Sequence, residues 1–226
     1  MIRFGEKKDM GSLLLMQPSQ GEWIQMTFSF CVTVPSMMPT TPQLPTAVTD
    51  VLRTSAFDYG LDVFGGRIRR TSSRFCLGIE HGDYNGTELF GVGTDRFIWI
   101  AYKPNELGRL RLFSANFPDD GRVDFELGKF PQSAEVAQSW SRFPIGVNAI
   151  LRREGFNLQT GLDAVVFGNI PGGGMSRSAS LTLNLILTVL EVNNVTGLDG
   201  MRVVELAQAV ENDFIGSPCG NLDQVM

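Results

Sequence analysis

The sequence holds little of what several function classes require. It has one histidine, His81, and three cysteines, Cys31, Cys76 and Cys219. An odd number of widely spaced thiols makes neither a disulfide framework nor a zinc site, and it suits reduced cysteines in a cytoplasm. Positive charge is also short: 19 Lys and Arg stand against 24 Asp and Glu, for a net charge of −5. That balance argues against a nucleic-acid partner, whose affinity would rest on lysine and arginine at phosphates. Long hydrophobic runs are missing too. The most apolar early stretch, Trp23 to Met38, is too short to span a bilayer and alternates Ile24, Met26, Phe28, Phe30, Val32 and Val34 like a half-buried strand. No signal peptide, membrane anchor or internal repeat is visible.

What remains is ordinary globular material, 43% hydrophobic and 19% charged over 226 residues, enough for one large domain or two small ones. Residues 1–22 mix charge, methionine and glycine without a sustained period. The segment 35–46, PSMMPTTPQLPT, reads as an extended linker because proline lacks an amide donor and restrains the residue before it. These features set residues 1–46 apart as a poorly ordered or extended segment and make 47–226 the domain. Within it a helix is expected over 47–60, with Ala47, Val48, Val51 and Leu52 on its apolar side. Short strands are expected over 61–70, 74–80, 88–101 and 109–115, and Asp120-Gly121 marks a hairpin or tight turn. A helical pattern over 133–153 (Val136, Trp140, Phe143, Val147, Ile150) is interrupted or kinked at Pro144. A strand over 164–168 precedes a glycine loop with its helix, and an amphipathic helix follows over 200–214. Strands followed and interleaved by helices make the fold class α+β rather than doubly wound.

Three stretches carry chemistry. In NIPGGGMSRSASLTLNL, residues 169–185, Gly172, Gly173 and Gly174 let backbone amides approach a ligand, and Ser176, Ser178 and Ser180 add hydroxyls. The apolar run that follows places this loop at a helix N-terminus, where free amides attract anions. The same segment also fits an ordinary glycine turn with a serine cap. In RFCLGIEHGDYNG, residues 74–86, an arginine, Glu80, Asp83, Tyr84 and His81 fall close together, a density that suits hydrogen bonds to a polyol. Asp83 to Gly86 equally fits a polar turn closing a hairpin. The neighbouring Arg67, Arg69 and Arg70 read as a solvated charged edge. Glu211, on the last amphipathic helix, and Asp223, in a loop after Pro218, Cys219 and Gly220, are two further carboxylates. Near bound phosphates one such acid can hold Mg²⁺ and another can accept a hydroxyl proton, although surface acids are common.

A phosphate cradle, a polyol site and two spare carboxylates together describe phosphoryl transfer from a nucleotide to a sugar. The common nucleotide motifs are absent. Gly128-Lys129 is followed by Phe130 and lacks the upstream glycine of a GxxxxGK[ST] loop. The HRD and DFG signatures of protein kinases do not occur. Gly91-Val-Gly93 is followed by Thr94, Asp95 and Arg96, without the third glycine of a dinucleotide fingerprint.

On these residues the chain resembles the galactokinases of the GHMP kinase superfamily. Their signature GRVNLIGEHTDYNGG is echoed by Ser73 to Gly86, their loop PLGGGLSSSAS by Pro171 to Ser180, and their AExxFxGxPCGIMDQ by Val210 to Gln224. The resemblance covers about residues 70–226, with the three motifs in order. It implies the N-terminal domain of a GHMP kinase, a mixed sheet backed by helices, acting with ATP and Mg²⁺ on C1 of galactose in the cytoplasm. It also implies roles. Asp223 is the base that takes the sugar hydroxyl proton, and Arg74 lowers that hydroxyl's pKa and steadies phosphoryl charge. Glu80, His81, Asp83 and Gly220 contact the sugar. Gly172, Gly173, Gly174, Met175, Ser176, Arg177 and Ser178 surround the triphosphate, and Ser178 and Glu211 bind the metal. Members of the family continue into a second half, so a missing C-terminal part is an expected partner. The chain departs from the pattern at Arg177, where the family has serine, at Cys76 for asparagine, at the inverted pair Gly78-Ile79, at Ser72-Ser73 for Pro-Gly and in a loop one residue shorter. A sister kinase for galacturonate, arabinose or N-acetylgalactosamine, or a sugar and ATP sensor without turnover, shares the resemblance. Two acids near the sugar favour a neutral hexose over a uronate.

Overall fold

The computed structural model describes residues 44–78, 82, 90–136, 138–172 and 174–225, together with the backbone of residues 13–16 and 23–26. In that N-terminal pair, β1 (Leu13–Met16) and β2 (Trp23–Met26) form a two-stranded antiparallel sheet. Strand pairing thus occurs inside a segment whose first part shows no sequence period, while residues 27–38 of the alternating run lie outside the described residues. Helix α1 (Thr46–Asp58) begins directly after Pro45. Val48, Leu52 and Ala56 recur every four residues and bury one face, and Tyr59-Gly60 ends the helix with the glycine in the left-handed region.

The chain then builds β3 (Arg67–Gly78), β4 (Phe90–Asn105), β5 (Arg109–Ser114), β6 (Arg122–Glu126) and β7 (Gly161–Gly168). They form one five-stranded sheet in the order β3-β4-β7-β5-β6. All neighbours are antiparallel except β5 and β7, which run parallel. The link from β5 to β6 is a 3₁₀ turn, Pro118–Asp120, closed by Gly121 at φ 68°. Strand β7 occupies the middle and is buried on both faces: Ala164 and Val166 join one core, Val165 the other. Its start is crowded, because a Cβ on Gly161 would lie 2.2 Å from the Arg109 carbonyl oxygen.

Alternation along β4 divides the protein into three layers. Trp99 and Ala101 face α1 in a small core, whereas Ile98, Ile100 and Tyr102 face the large core. That second core is completed by α2 (Arg142–Arg153), α3 (Arg177–Val192) and α4 (Gly200–Ala209). The expected helical stretch 133–153 needs correction: Ser133–Glu135 is a lone 3₁₀ turn, and α2 starts only at Arg142. Pro144 therefore sits in a first turn, where its missing amide breaks no helical bond, and it kinks nothing. After α4 the chain widens into a π-helical turn, Val210–Ile215, and ends in α5 (Leu222–Val225). Asp223 stands on this short helix, not in the expected loop, because Val225 donates its amide to Asn221 and closes a turn. Among the described residues no helix is long and apolar enough to cross a membrane.

Candidate active site

Helix α3 fixes the position of everything around it. Its apolar side chains fill the large core, and its polar ones bind the sheet. Thr71 of β3 donates to the Ser180 carbonyl at 2.8 Å, Ser180 donates to Thr71 Oγ1 at 2.9 Å, and Asn184 donates to the Ile98 carbonyl at 3.0 Å. The N-terminus of the helix is therefore held at one place over the β3–β4 ribbon. No side chain caps it. Ser176 precedes it with φ 52°, left-handed for a residue with a side chain, and Gly174 has φ 73°. Ser176 is 7% exposed, yet its hydroxyl oxygen has no partner. Uncapped amides and an unpartnered buried hydroxyl leave this loop suited to an anion. Pro171, Gly172 and Gly174 are exposed on its outer side, and Gly173 lies outside the described residues.

Strand β3 brings Arg74 to the same loop. The register with β4 shifts between Ser72 and Arg74, and such a bulge re-aims side chains on its strand. Arg74 is buried, and its guanidinium donates through Nη1 to the Gly174 carbonyl at 2.9 Å and through Nε to Asp223 Oδ1 at 2.8 Å. Nη2 donates to the same oxygen. Both bonds to the carboxylate use Oδ1, so Oδ2 stands outside the pair. One arginine thus joins three motifs that are 100 and 149 positions apart in sequence.

Glu211 is the other acid at the site. The π-helical turn carries it inward, where it is 5% exposed. Ser178, on the first turn of α3, donates to its Oε2 at 3.3 Å, while Oε1 is buried without a partner. Burial pushes the carboxyl up to about 7; the Ser178 hydrogen bond opposes this and the charge of Asp223 adds to it. Among the described residues no three His, Cys, Asp or Glu side chains cluster as a metal cage. A Ser178 and Glu211 pair with an orphaned oxygen is a partial donor set, the kind that Mg²⁺ uses when phosphates and water supply its other ligands.

Beside the loop lies a cavity of about 330 Å³. Apolar walls come from Ile98, Phe117, Trp140, Phe143, Ile170 and Leu181, and Ser178 and Arg177 stand at its edge with the helix start. Trp140 is buried and its Nε1–H has no acceptor. None of these wall residues was marked as functional from the sequence. Trp140 and Phe143 recur at helical spacing, and only the glycine loop next to them in space separates a pocket wall from a core face. Of the sugar contacts expected from the sequence, Gly220 is buried beside α5, while Glu80, His81 and Asp83 lie outside the described residues. Arg67 and Arg69 depart from a purely solvated edge: both pair with Glu191 of α3, which also accepts from Tyr102 at 3.0 Å.

A mixed sheet between α1 on one face and α2, α3 and α4 on the other, with an uncapped glycine loop at the start of α3, defines a class. Residues 143–226 match the family of GHMP kinases, N terminal domain, and the chain carries a GHMP kinase N-terminal domain. Within that class its sequence is similar to galactokinases. The enzyme from Streptococcus mutans serotype c is 36% identical over 146 residues, 64% of this chain and 37% of that protein. Among solved structures, Lactococcus lactis galactokinase complexed with galactose superposes with a TM-score of 0.70 at 28% identity, covering 79% of this chain and 45% of that one. The Methanococcus jannaschii mevalonate kinase shares the fold at a TM-score of 0.60 and 19% identity, over 71% of this chain and 50% of its own. The chain spans less than half the length of the galactokinases it matches.

Proposed function

We propose that this domain belongs to a galactokinase-type enzyme that transfers the γ-phosphate of ATP to the C1 hydroxyl of galactose. The observation that carries the reading is the Arg74 guanidinium, bonded at once to Asp223 and to the Gly174 carbonyl. It supports the reading because Asp223 and the glycine loop share one arginine, and phosphoryl transfer needs a base next to the bound phosphates. Asp223, oriented through Oδ1, accepts the hydroxyl proton on Oδ2. The sugar oxygen forms its bond to the γ-phosphorus as the bond to the β,γ-bridging oxygen breaks, and ADP leaves. Arg74 offsets the negative charge that develops on the transferred group.

The free amides at the start of α3 and the Ser176 hydroxyl hold the phosphates, and the apolar cavity with the free Trp140 donor takes the base. Ser178 and Glu211 hold Mg²⁺, and the orphaned Glu211 oxygen fits that assignment. The ion supplies charge neutralisation to the triphosphate. Glu80, His81, Asp83 and Gly220 contact the sugar hydroxyls. Residues 47–226 form the catalytic unit's first domain, with 1–46 as an extension and a further C-terminal part completing the enclosure. The reduced thiol at Cys76 supports a cytoplasmic setting. The test is a coupled ADP-release assay on the full-length protein across galactose, galacturonate, arabinose and N-acetylgalactosamine. Fastest turnover on galactose is expected, and preference for any other of the four removes galactose as the substrate.

A further inference from the structure

Arg177 is the charged residue of the stretch 169–185 that holds the glycine loop, and its surroundings give that cation a task. It is the first residue of α3 and is exposed at the rim of the apolar cavity. Its guanidinium carbon lies 5.7 Å from the centroid of the Phe117 ring, which forms part of the cavity wall. Among the described residues it makes no ion pair or hydrogen bond. Arg74, by contrast, is committed to Asp223 and the Gly174 carbonyl. The described part of the site then contains the carboxylates Asp120, Glu211 and Asp223, and once the Arg74–Asp223 pair is set aside, Arg177 is its uncompensated cation. A polyanion entering there meets net negative charge unless this side chain faces it.

We propose that Arg177 is a phosphate-binding residue of the nucleotide site, held ready by a cation–π contact with Phe117 and closing on the α- or β-phosphate. This rests on the nucleotide reading above and assigns one more contact within it. Direction follows from the helix. Both Ser178 and Arg177 line the cavity; Ser178 donates to Glu211 on the metal side, while the Arg177 guanidinium lies over the Phe117 ring in the cavity wall. The guanidinium is thus on the side of the loop nearer the cavity assigned to the base. A guanidinium held over an aromatic face by a cation–π contact keeps its donors, and its fork matches two phosphate oxygens at once. Serine at this position has one hydroxyl and no charge, so it cannot substitute.

Calorimetric titration of the full-length protein with adenosine, ADP and Mg·ATP tests this, using the native protein, Arg177→Ser and Arg177→Lys. Arg177→Ser is expected to weaken ADP and Mg·ATP about tenfold, the size of one lost charge-assisted contact, and to leave adenosine unchanged. Arg177→Lys, which keeps the charge without the fork, is expected between the two. Unchanged or tighter ADP binding in Arg177→Ser overturns the assignment, since the arginine would then be idle or crowding. An equal loss for adenosine and ADP also overturns it, because the contact would be to the base. If the native full-length protein binds adenosine, ADP and Mg·ATP no more than a buffer blank, the nucleotide reading itself falls and this inference falls with it.

Discussion

Asp223 and Glu211 are carboxylates of one small site, yet their surroundings separate their work. Asp223 is held by a guanidinium on one oxygen, with the other turned out of the pair. Asp223→Asn is expected to lower turnover of the full-length enzyme by about a hundredfold or more, the usual contribution of a positioned base, while shifting the galactose dissociation constant only slightly. Steady-state rates beside calorimetry decide this, and near-normal turnover removes Asp223 from the role. Ser178→Ala is expected to weaken Mg·ATP binding and spare galactose, and lost sugar affinity with intact nucleotide affinity contradicts it. Glu211 also makes a claim about stability. Its folded carboxyl titrates near 7 against an ordinary 4.5, so between those values the folded protein keeps a proton that the unfolded chain has released. Stability therefore falls as pH rises through that window, by about 3 kcal/mol in total. Glu211→Gln removes the titration. It is expected to be more stable than the native domain at pH 8 and no more stable at pH 4, and denaturant melts showing a constant difference count against this.

At the scale of elements, the site depends on how tightly α2 holds the π-helical turn that carries Glu211. A Cβ added to Gly146 on α2 would sit 2.8 Å from a ring carbon of Phe214, three residues after Glu211. Gly146→Ala is expected to destabilise the domain by about 1–3 kcal/mol, the usual cost of overpacking, despite the better helix propensity of alanine. It should also weaken metal-dependent nucleotide binding, because the turn must shift to admit the methyl group. Equal or greater denaturant resistance in this variant would show that the contact yields easily. The elements themselves are legible to different degrees. Helix α1 and strands β4 and β5 follow from apolar positions that repeat at 3.6 or 2 residues, and β7 follows from a short continuous apolar run. The π-helical turn has no such signal. Its amphipathic pattern over 200–214 is continuous with the helix before it, and packing of Phe214 against Gly146 accompanies the widening. Pro144 misleads for a related reason, since a proline inside a helix and one in its first turn look alike until the start of the helix is known.

For the whole molecule, the chain spans less than half the length of the galactokinases it matches. On its outer ribbon it exposes Phe75, Leu77, Phe90 and Val92. The glycine loop is exposed at Pro171, Gly172 and Gly174, and charges arranged around an open site act through high-dielectric solvent, where they do little. The 226 residues alone are accordingly expected to give no galactose-dependent ADP release, and the exposed apolar ribbon is expected to promote self-association. Mass in solution and the coupled assay check both expectations together. A well-behaved monomer with ordinary kinase turnover would show that the site is complete within these residues.

The sequence by itself determined which chemistry is available: the glycine and serine loop, the arginine, the carboxylates, and the local patterns that make a helix follow the loop. These are properties of neighbours in the chain, set by backbone freedom, side-chain type and periodicity. Tertiary structure alone decided that Arg74 bonds Asp223 across 149 positions, that Glu211 is buried with one oxygen unpartnered, and that Trp140, a member of the large core, also walls a cavity with Phe117. Charge pairing and desolvation depend on distance and on exclusion of water, and neither exists until α2, α3 and the sheet have packed together.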